Sequence, residues 1–263
     1  MDMPTFRIGK RIYRKLRYRK GYSVHSPFVY NLITKVIEEK SPYYIFDDIE
    51  KLRVDFLQLT SPVSFSSRSG KKKKNSIGSI VAKETQHRMY GALLFRLSNY
   101  FQCRGLLHVG ASAGIMTLYM VAHSSACRCI ALETRPELNL IDSDITKRLK
   151  TGDIRYLFGP YQETIREAFR DNQGFDLIFI DTAYDPELTR QLLDIVIEKN
   201  TRKETVLMVD GIKKNETMSA IWKEIIHHPK VTISIDLYAA GLIFFKDKIY
   251  KQHFKAFFDD GKK

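Results

Sequence analysis

The residues best placed to do chemistry lie in His108-Val109-Gly110-Ala111-Ser112-Ala113-Gly114-Ile115, a small-residue run between an apolar segment and a helix-like one. Small side chains let the backbone approach a ligand, and the first amides of the following helix face it. A dinucleotide-binding turn would need Gly-x-Gly-x-x-Gly, whereas these glycines stand four apart with a serine between them. The run Gly110-Ala111-Ser112-Ala113-Gly114 does spell the Gly-x-Ser-x-Gly elbow of serine hydrolases. That elbow normally follows several strands, however, and this one opens the strand-rich part of the chain. Its partner histidine should arrive on a late loop, and His227-His228 reads instead as the end of a helix stopped by Pro229.

A third chemistry uses the loop as a cradle for S-adenosylmethionine, and acids at later strand ends support it. Glu133 ends the next strand roughly 20 residues beyond the glycine turn, where a carboxylate can hold both ribose hydroxyls. Asp181 closes the fourth strand and Asp210 the fifth, which places both at the carboxyl edge of the sheet, where open α/β folds bind ligands. Methyl transfer needs the nucleophile in line with the methyl group and water kept out, so positioning supplies most of the rate. A hydroxyl acceptor also benefits from a base, and the candidates are Asp181 first, then Tyr184, Asp185 and His25. Each has a plainer role available: His25 as a helix cap or packing residue, Tyr184 as rim packing, and Asp210 as the cap of the next helix.

The elements that must position these residues can be read from periodicity. Short apolar runs at Gly105–Val109, Arg128–Leu132, Ile154–Phe158, Phe175–Ile180, Thr205–Val209, Val231–Leu237 and Leu242–Phe245 predict seven strands. Helix-length segments starting near Ile115, Pro136, Gln162, Pro186 and Asn215 separate the first six. Such alternation implies a doubly wound, mainly parallel α/β sheet, and the short link Tyr238–Gly241 predicts an antiparallel hairpin at its end. Upstream, Phe6–Leu16 reads as a basic amphipathic helix, and Ser26-Pro27 starts another with Phe28, Leu32 and Val36 on its apolar face. Ser61–Ser79 reads as a loop, and Thr85–Phe101 as a helix. The expected division is a helical extension over residues 1–84 and a catalytic domain over residues 85–263.

Composition narrows the class. With 44% hydrophobic and 12% aromatic residues, the chain can fill a core and is not disordered. No apolar run approaches the roughly 20 residues of a membrane span. No secretory signal is evident at its basic start, and Cys103, Cys127 and Cys129 lack metal spacing, so a reduced, cytoplasmic protein is expected. The net charge of +13 is concentrated in the first twenty residues and in Arg68 with Lys71–Lys74, leaving the remainder nearly neutral. These patches suit an anionic partner such as nucleic acid, a membrane surface or a phosphorylated substrate; alternatively they keep the protein soluble.

With these residues in hand, the chain resembles class I S-adenosylmethionine-dependent methyltransferases of Bacteroidetes type, related to small O-methyltransferases. The resemblance is carried by Val24-His25-Ser26-Pro27-Phe28-Val29-Tyr30, Tyr90–Leu97, the loop at Gly110–Gly114, Phe175–Asp181 and the ending Val231–Phe245. It implies a Rossmann-like seven-stranded sheet, S-adenosyl-L-methionine as cofactor, and transfer of a methyl group to an unidentified acceptor, expected to be oxygen. It also implies that Gly110, Ala111, Ser112 and Gly114 follow the methionine part, Glu133 the ribose, Gly159-Pro160-Tyr161 the adenine, and that Asp181 borders the transfer pocket. Three positions depart from the pattern. His108 stands where an acid usually meets the cofactor's ammonium, and a neutral imidazole cannot supply that charge, so weakened binding is expected. The fourth strand runs into Asp181-Thr182-Ala183-Tyr184-Asp185 without the usual histidine, and paired aspartates after the fifth strand have become Asp210-Gly211, which argues against a metal. The alternative reading is a methyltransferase fold that has lost catalysis and serves as a binding module.

Overall fold

Strands covered on both faces carry near-continuous apolar runs, because neither side meets water. Leu177–Ile180, Ile233–Asp236 and Ala240–Phe244 are buried at every residue. A computed structural model of the chain describes residues 13–22, 24–66, 72–85, 88–171, 174–182, 185–200, 202–247 and 250–259. Tyr184, Lys71 and most of the expected helix Phe6–Leu16 lie outside those residues; the described part of that helix, from Tyr13 to Arg17, is helical.

The strands are β1 (Pro62–Ser66), β2 (Lys72–Ser76), β3 (Gly105–Val109), β4 (Arg128–Glu133), β5 (Asp153–Phe158), β6 (Leu177–Ile180), β7 (Val206–Asp210), β8 (Ile233–Asp236), β9 (Ala240–Phe244) and β10 (Gln252–Lys255). The large sheet runs β10-β8-β9-β7-β6-β3-β4-β5. Strands β3 to β7 are parallel, and β9 is antiparallel to both β7 and β8, which gives the expected hairpin. The chain steps outward from β3 to β5, then returns to lay β6 against the other side of β3. That reversal opens a crevice at the carboxyl ends of β3 and β6, where a doubly wound sheet binds its ligand.

Alternation within each strand separates two cores. Leu106, Leu177, Phe179, Met208 and Phe244 face one cluster, and Leu107, Ile178, Ile180, Leu207 and Ile243 face the other. The helices are α1 (Pro27–Leu32), α2 (Tyr44–Leu57), α3 (Ile77–Glu84), α4 (Arg88–Tyr100), α5 (Ile115–Val121), α6 (Ser143–Leu149), α7 (Tyr161–Asp171), α8 (Pro186–Lys199) and α9 (Glu216–Ile226). Leu32, Leu52, Val81, Leu93 and Leu118 bring α1 to α5 onto the first face, whereas Ile165, Val196 and Trp222 bring α7 to α9 onto the second.

Several boundaries differ from the sequence reading. The sheet has eight strands rather than seven, since β10 joins β8 in parallel. Its residues Gln252, His253 and Lys255 form a half-exposed edge with no apolar run to announce it. The described parts of Ser61–Ser79 are largely regular: β1 and β2 pair antiparallel, and α3 follows directly with Ser76 as its cap. Val63 of that hairpin is buried in the first core. The helix expected over Thr85–Phe101 is described over Arg88–Tyr100. The segment starting at Pro136 is only a 3-10 turn, and the α-helix waits for the Asp142 cap.

The segment before α1 is tied to the far end of the chain. Buried Arg14 donates to Asp236 Oδ1 at 3.1 Å and to the Ala256 carbonyl at 3.0 Å, and the Phe257 amide donates to the Tyr18 carbonyl at 3.0 Å. Arg14→Ala removes these charge-assisted bonds and should destabilise the protein by about 2 kcal/mol. Urea unfolding checks this: the midpoint should fall with an unchanged slope, and an unmoved midpoint would show that the clamp contributes nothing.

Candidate cofactor site at the sheet reversal

The loop after β3 turns through three left-handed residues, Gly110 (φ +88°), Ser112 (φ +48°) and Gly114 (φ +83°). At Gly110 a side chain is excluded twice over, because an added Cβ would lie 2.5 Å from the Asp181 carbonyl oxygen. The loop is thereby held against the end of β6, and the Asp181 amide donates to the Val109 carbonyl at 2.9 Å. The Gly110 and Ala111 amides donate to the Leu132 carbonyl at 3.1 and 3.0 Å, fastening the loop to the end of β4. Gly114 starts α5 beneath the Tyr156 hydroxyl, which would sit 2.3 Å from any added Cβ.

Three carboxyl groups converge on this loop. Glu133, fully buried, accepts the Ser112 amide on Oε2 at 2.8 Å. Its Oε1 accepts the amides of Thr134 and Arg135 at 2.8 and 3.1 Å, and the Arg135 guanidinium spans both oxygens at 2.8 and 3.2 Å. A ligand's hydroxyls would therefore have to displace Arg135. Asp181 reaches the loop from β6; burial and the neighbouring Asp210 charge push its carboxyl up to about 8, with Lys214 opposing. The third acid, Glu84 at the end of α3, accepts the Ala113 amide on Oε2 at 3.1 Å. Burial pushes it up to about 8 despite that amide, and the charges of Asp181 and Glu133 add to the rise. Its Oε1 is buried without a hydrogen-bond partner, and so is the Tyr156 hydroxyl.

Glu84 escaped the sequence reading. It stands in the unremarkable run Lys83-Glu84-Thr85, and only the packing of α3 over the loop reveals it. His108 occupies the core rather than the cradle. Its Nδ1 lies 2.7 Å from the Thr117 hydroxyl, its ring stacks on Phe179 at 4.8 Å, and burial lowers its pKa to about 3, leaving it neutral.

Other singled-out residues fall in different places. The Gly159 amide donates to the Glu133 carbonyl at 3.2 Å, which puts Gly159-Pro160 beside the end of β4. The Tyr161 side chain is buried in the second core with Ile165. Asp185 caps α8 by accepting the Leu188 amide at 3.3 Å, and Thr182 is buried against Thr189. His25 is not brought to Asp181. It is exposed and lies three residues before Phe28, which packs on Phe244 and Phe101 at the amino edge of the sheet, the opposite end from the loop. His227 likewise ends α9 beside His253, so among the described residues neither of these histidines is brought to Ser112. Among the described residues, no three His, Cys, Asp or Glu side chains group as a metal site, and no helix is long and apolar enough to cross a membrane.

The raised acids make a stability signature. A carboxyl whose folded pKa lies above its unfolded value of near 4 adds stability that is complete below that value. That stability is lost as pH rises to about 8 for Asp181 and Glu84. Asp181→Asn should therefore raise the thermal midpoint at pH 8 by several degrees while leaving it nearly unchanged at pH 4. Equal shifts at both pH values would show that Asp181 is not buried as the acid.

No family model and no curated protein matches the sequence. Solved structures do match the fold. A Podospora anserina methyltransferase solved with S-adenosylhomocysteine bound is 12% identical with a TM-score of 0.53, covering 80% of this chain and 99% of its own. The O-methyltransferase TomG of Streptomyces achromogenes, solved with S-adenosylmethionine, is 13% identical with a TM-score of 0.52, covering 78% of this chain and 91% of its own. A structure described as a putative caffeoyl-CoA O-methyltransferase from Staphylococcus aureus is 13% identical with a TM-score of 0.51, covering 62% and 88%. At such identities the likeness shows architecture alone: the chain has the Rossmann-like fold of S-adenosylmethionine-dependent methyltransferases.

Proposed function

We propose that the protein is an S-adenosylmethionine-dependent methyltransferase acting on an oxygen acceptor. The observation that carries this reading is the acid lining of the cradle: Glu84, Glu133 and Asp181 surround a small-residue loop, and one buried carboxyl oxygen is left unpaired. A ligand bearing a sulfonium and an ammonium draws the protonated Glu84 and Asp181 into their charged form, whereas the phosphates of a dinucleotide gain nothing from them. The structural neighbours solved with that cofactor or its product support the same reading.

In this reading the cofactor supplies an electrophilic methyl group. The Gly110–Gly114 loop would hold its methionine part, Glu133 its ribose hydroxyls in place of Arg135, and Gly159-Pro160 its adenine. Asp181 would orient the acceptor's hydroxyl and receive its proton as the methyl group passes from the sulfonium to that oxygen, leaving a neutral thioether. A carboxyl with a pKa of about 8 is matched to that exchange, since a base works best with its pKa near the working pH. Residues 1–84 form the extension and residues 85–263 the catalytic domain; α3 of the extension contributes directly to the site through Glu84.

Calorimetric titration with S-adenosylmethionine and S-adenosylhomocysteine tests the reading. Saturable binding to the parent is expected, with none to Gly110→Arg; a folded parent that binds neither ligand would overturn it. Arg135→Ala should tighten S-adenosylhomocysteine about threefold to tenfold, because the ribose no longer displaces a charge-assisted pair. Weaker binding would instead make Arg135 part of the ligand's own contact set.

A further inference from the structure

We propose that Glu84, delivered by the helical extension, is the counter-charge for the ammonium of the cofactor's methionine, replacing the acid whose place in β3 is taken by His108. The inference rests on the cofactor reading above and assigns that ligand's cationic end to a residue outside the strand–loop–helix unit that forms the cradle.

Four observations point to it. Glu84 is inside the cradle, since its Oε2 accepts the Ala113 amide at 3.1 Å. Its Oε1 is buried with no hydrogen-bond partner, an arrangement that costs free energy unless a donor arrives. It closes the C-terminal turn of α3, where the helix dipole disfavours an acid. Its charged neighbours are also of the wrong sign: Glu133 from β4 and Asp181 from β6 both oppose its ionisation, with only the Ala113 amide and the Ser112 hydroxyl in favour. Among the described residues, Arg135 is engaged on Glu133 and Lys214 acts on Asp181, while Tyr156 from β5 brings only a neutral hydroxyl. A buried acid in this setting is completed by a donor that carries positive charge. The usual donor of the counter-charge is unavailable, because the His108 ring is neutral and turned to Thr117 and Phe179.

The test compares two ligands on the parent and on Glu84→Gln, by calorimetry. S-adenosylhomocysteine carries the amino-acid end; 5′-methylthioadenosine has the same adenosine and thioether without it. Glu84→Gln should weaken S-adenosylhomocysteine at least tenfold and leave 5′-methylthioadenosine unchanged. The second ligand also reports that the variant is folded. Equal loss for both ligands would mean that Glu84 merely supports the loop, and tighter S-adenosylhomocysteine would mean that it occupies the seat of the cofactor's own carboxylate. Either result overturns the inference, as does a variant that matches a binding-competent parent on both ligands. A parent that binds neither ligand defeats the cofactor reading itself, and this inference with it.

Discussion

The site depends on how closely the backbone at Gly110 passes the end of β6. With no Cβ at that position, the loop after β3 lies against the Asp181 carbonyl, and its next amides can reach Leu132 at the end of β4. Three strand ends are thus gathered within the reach of five loop residues. The order of the strands makes the gathering possible, because β3 lies between β4, laid down before the chain reverses, and β6, laid down after it. Acids from β4, β6 and α3 then meet beside it, and burial with their mutual repulsion holds Glu84 and Asp181 toward the protonated form. Close approach, burial and frustrated charge are successive consequences of one absent methyl group.

The helices before the loop complete one face of the sheet. Leu32, Leu52, Val81 and Leu93 share a continuous core with Leu106, Phe179 and Phe244, so α1 to α4 bury what would otherwise be an exposed apolar sheet face. The same packing lays the end of α3 over the cradle. Structural cover and site composition are therefore supplied by the same segment, and substitutions that loosen its core contacts reach the cradle through the backbone of α3.

The parallel strands and their terminal hairpin were legible because residues buried on both faces leave unbroken apolar runs, as in Leu177–Ile180 and Ala240–Phe244. The glycine loop was legible for a related reason: left-handed turns at a strand end demand glycine at Gly110 and Gly114. What periodicity could not show was β10, whose edge exposure gives it polar residues, or the β1–β2 hairpin, whose second strand is the polar run Lys72–Ser76. Glu84 was hidden for another reason, since a carboxylate acquires its meaning from groups distant in sequence, here Ala113 and Asp181. His25 misled in the opposite way: its residue type suited a base, but its place at the amino edge is fixed by the aromatic packing of Phe28.

The Arg14 clamp has a consequence for the order in which the molecule can form. Its acceptors at Asp236 and Ala256 lie 222 and 242 residues away. During synthesis the guanidinium must wait, hydrated, until nearly all of the intervening sequence has left the ribosome and β8 has found β9. Contacts of such long sequence separation form late. The central parallel strands can assemble while this margin is still open, so the unpaired edge of β8 is the part of the nascent protein most exposed to mispairing with another chain.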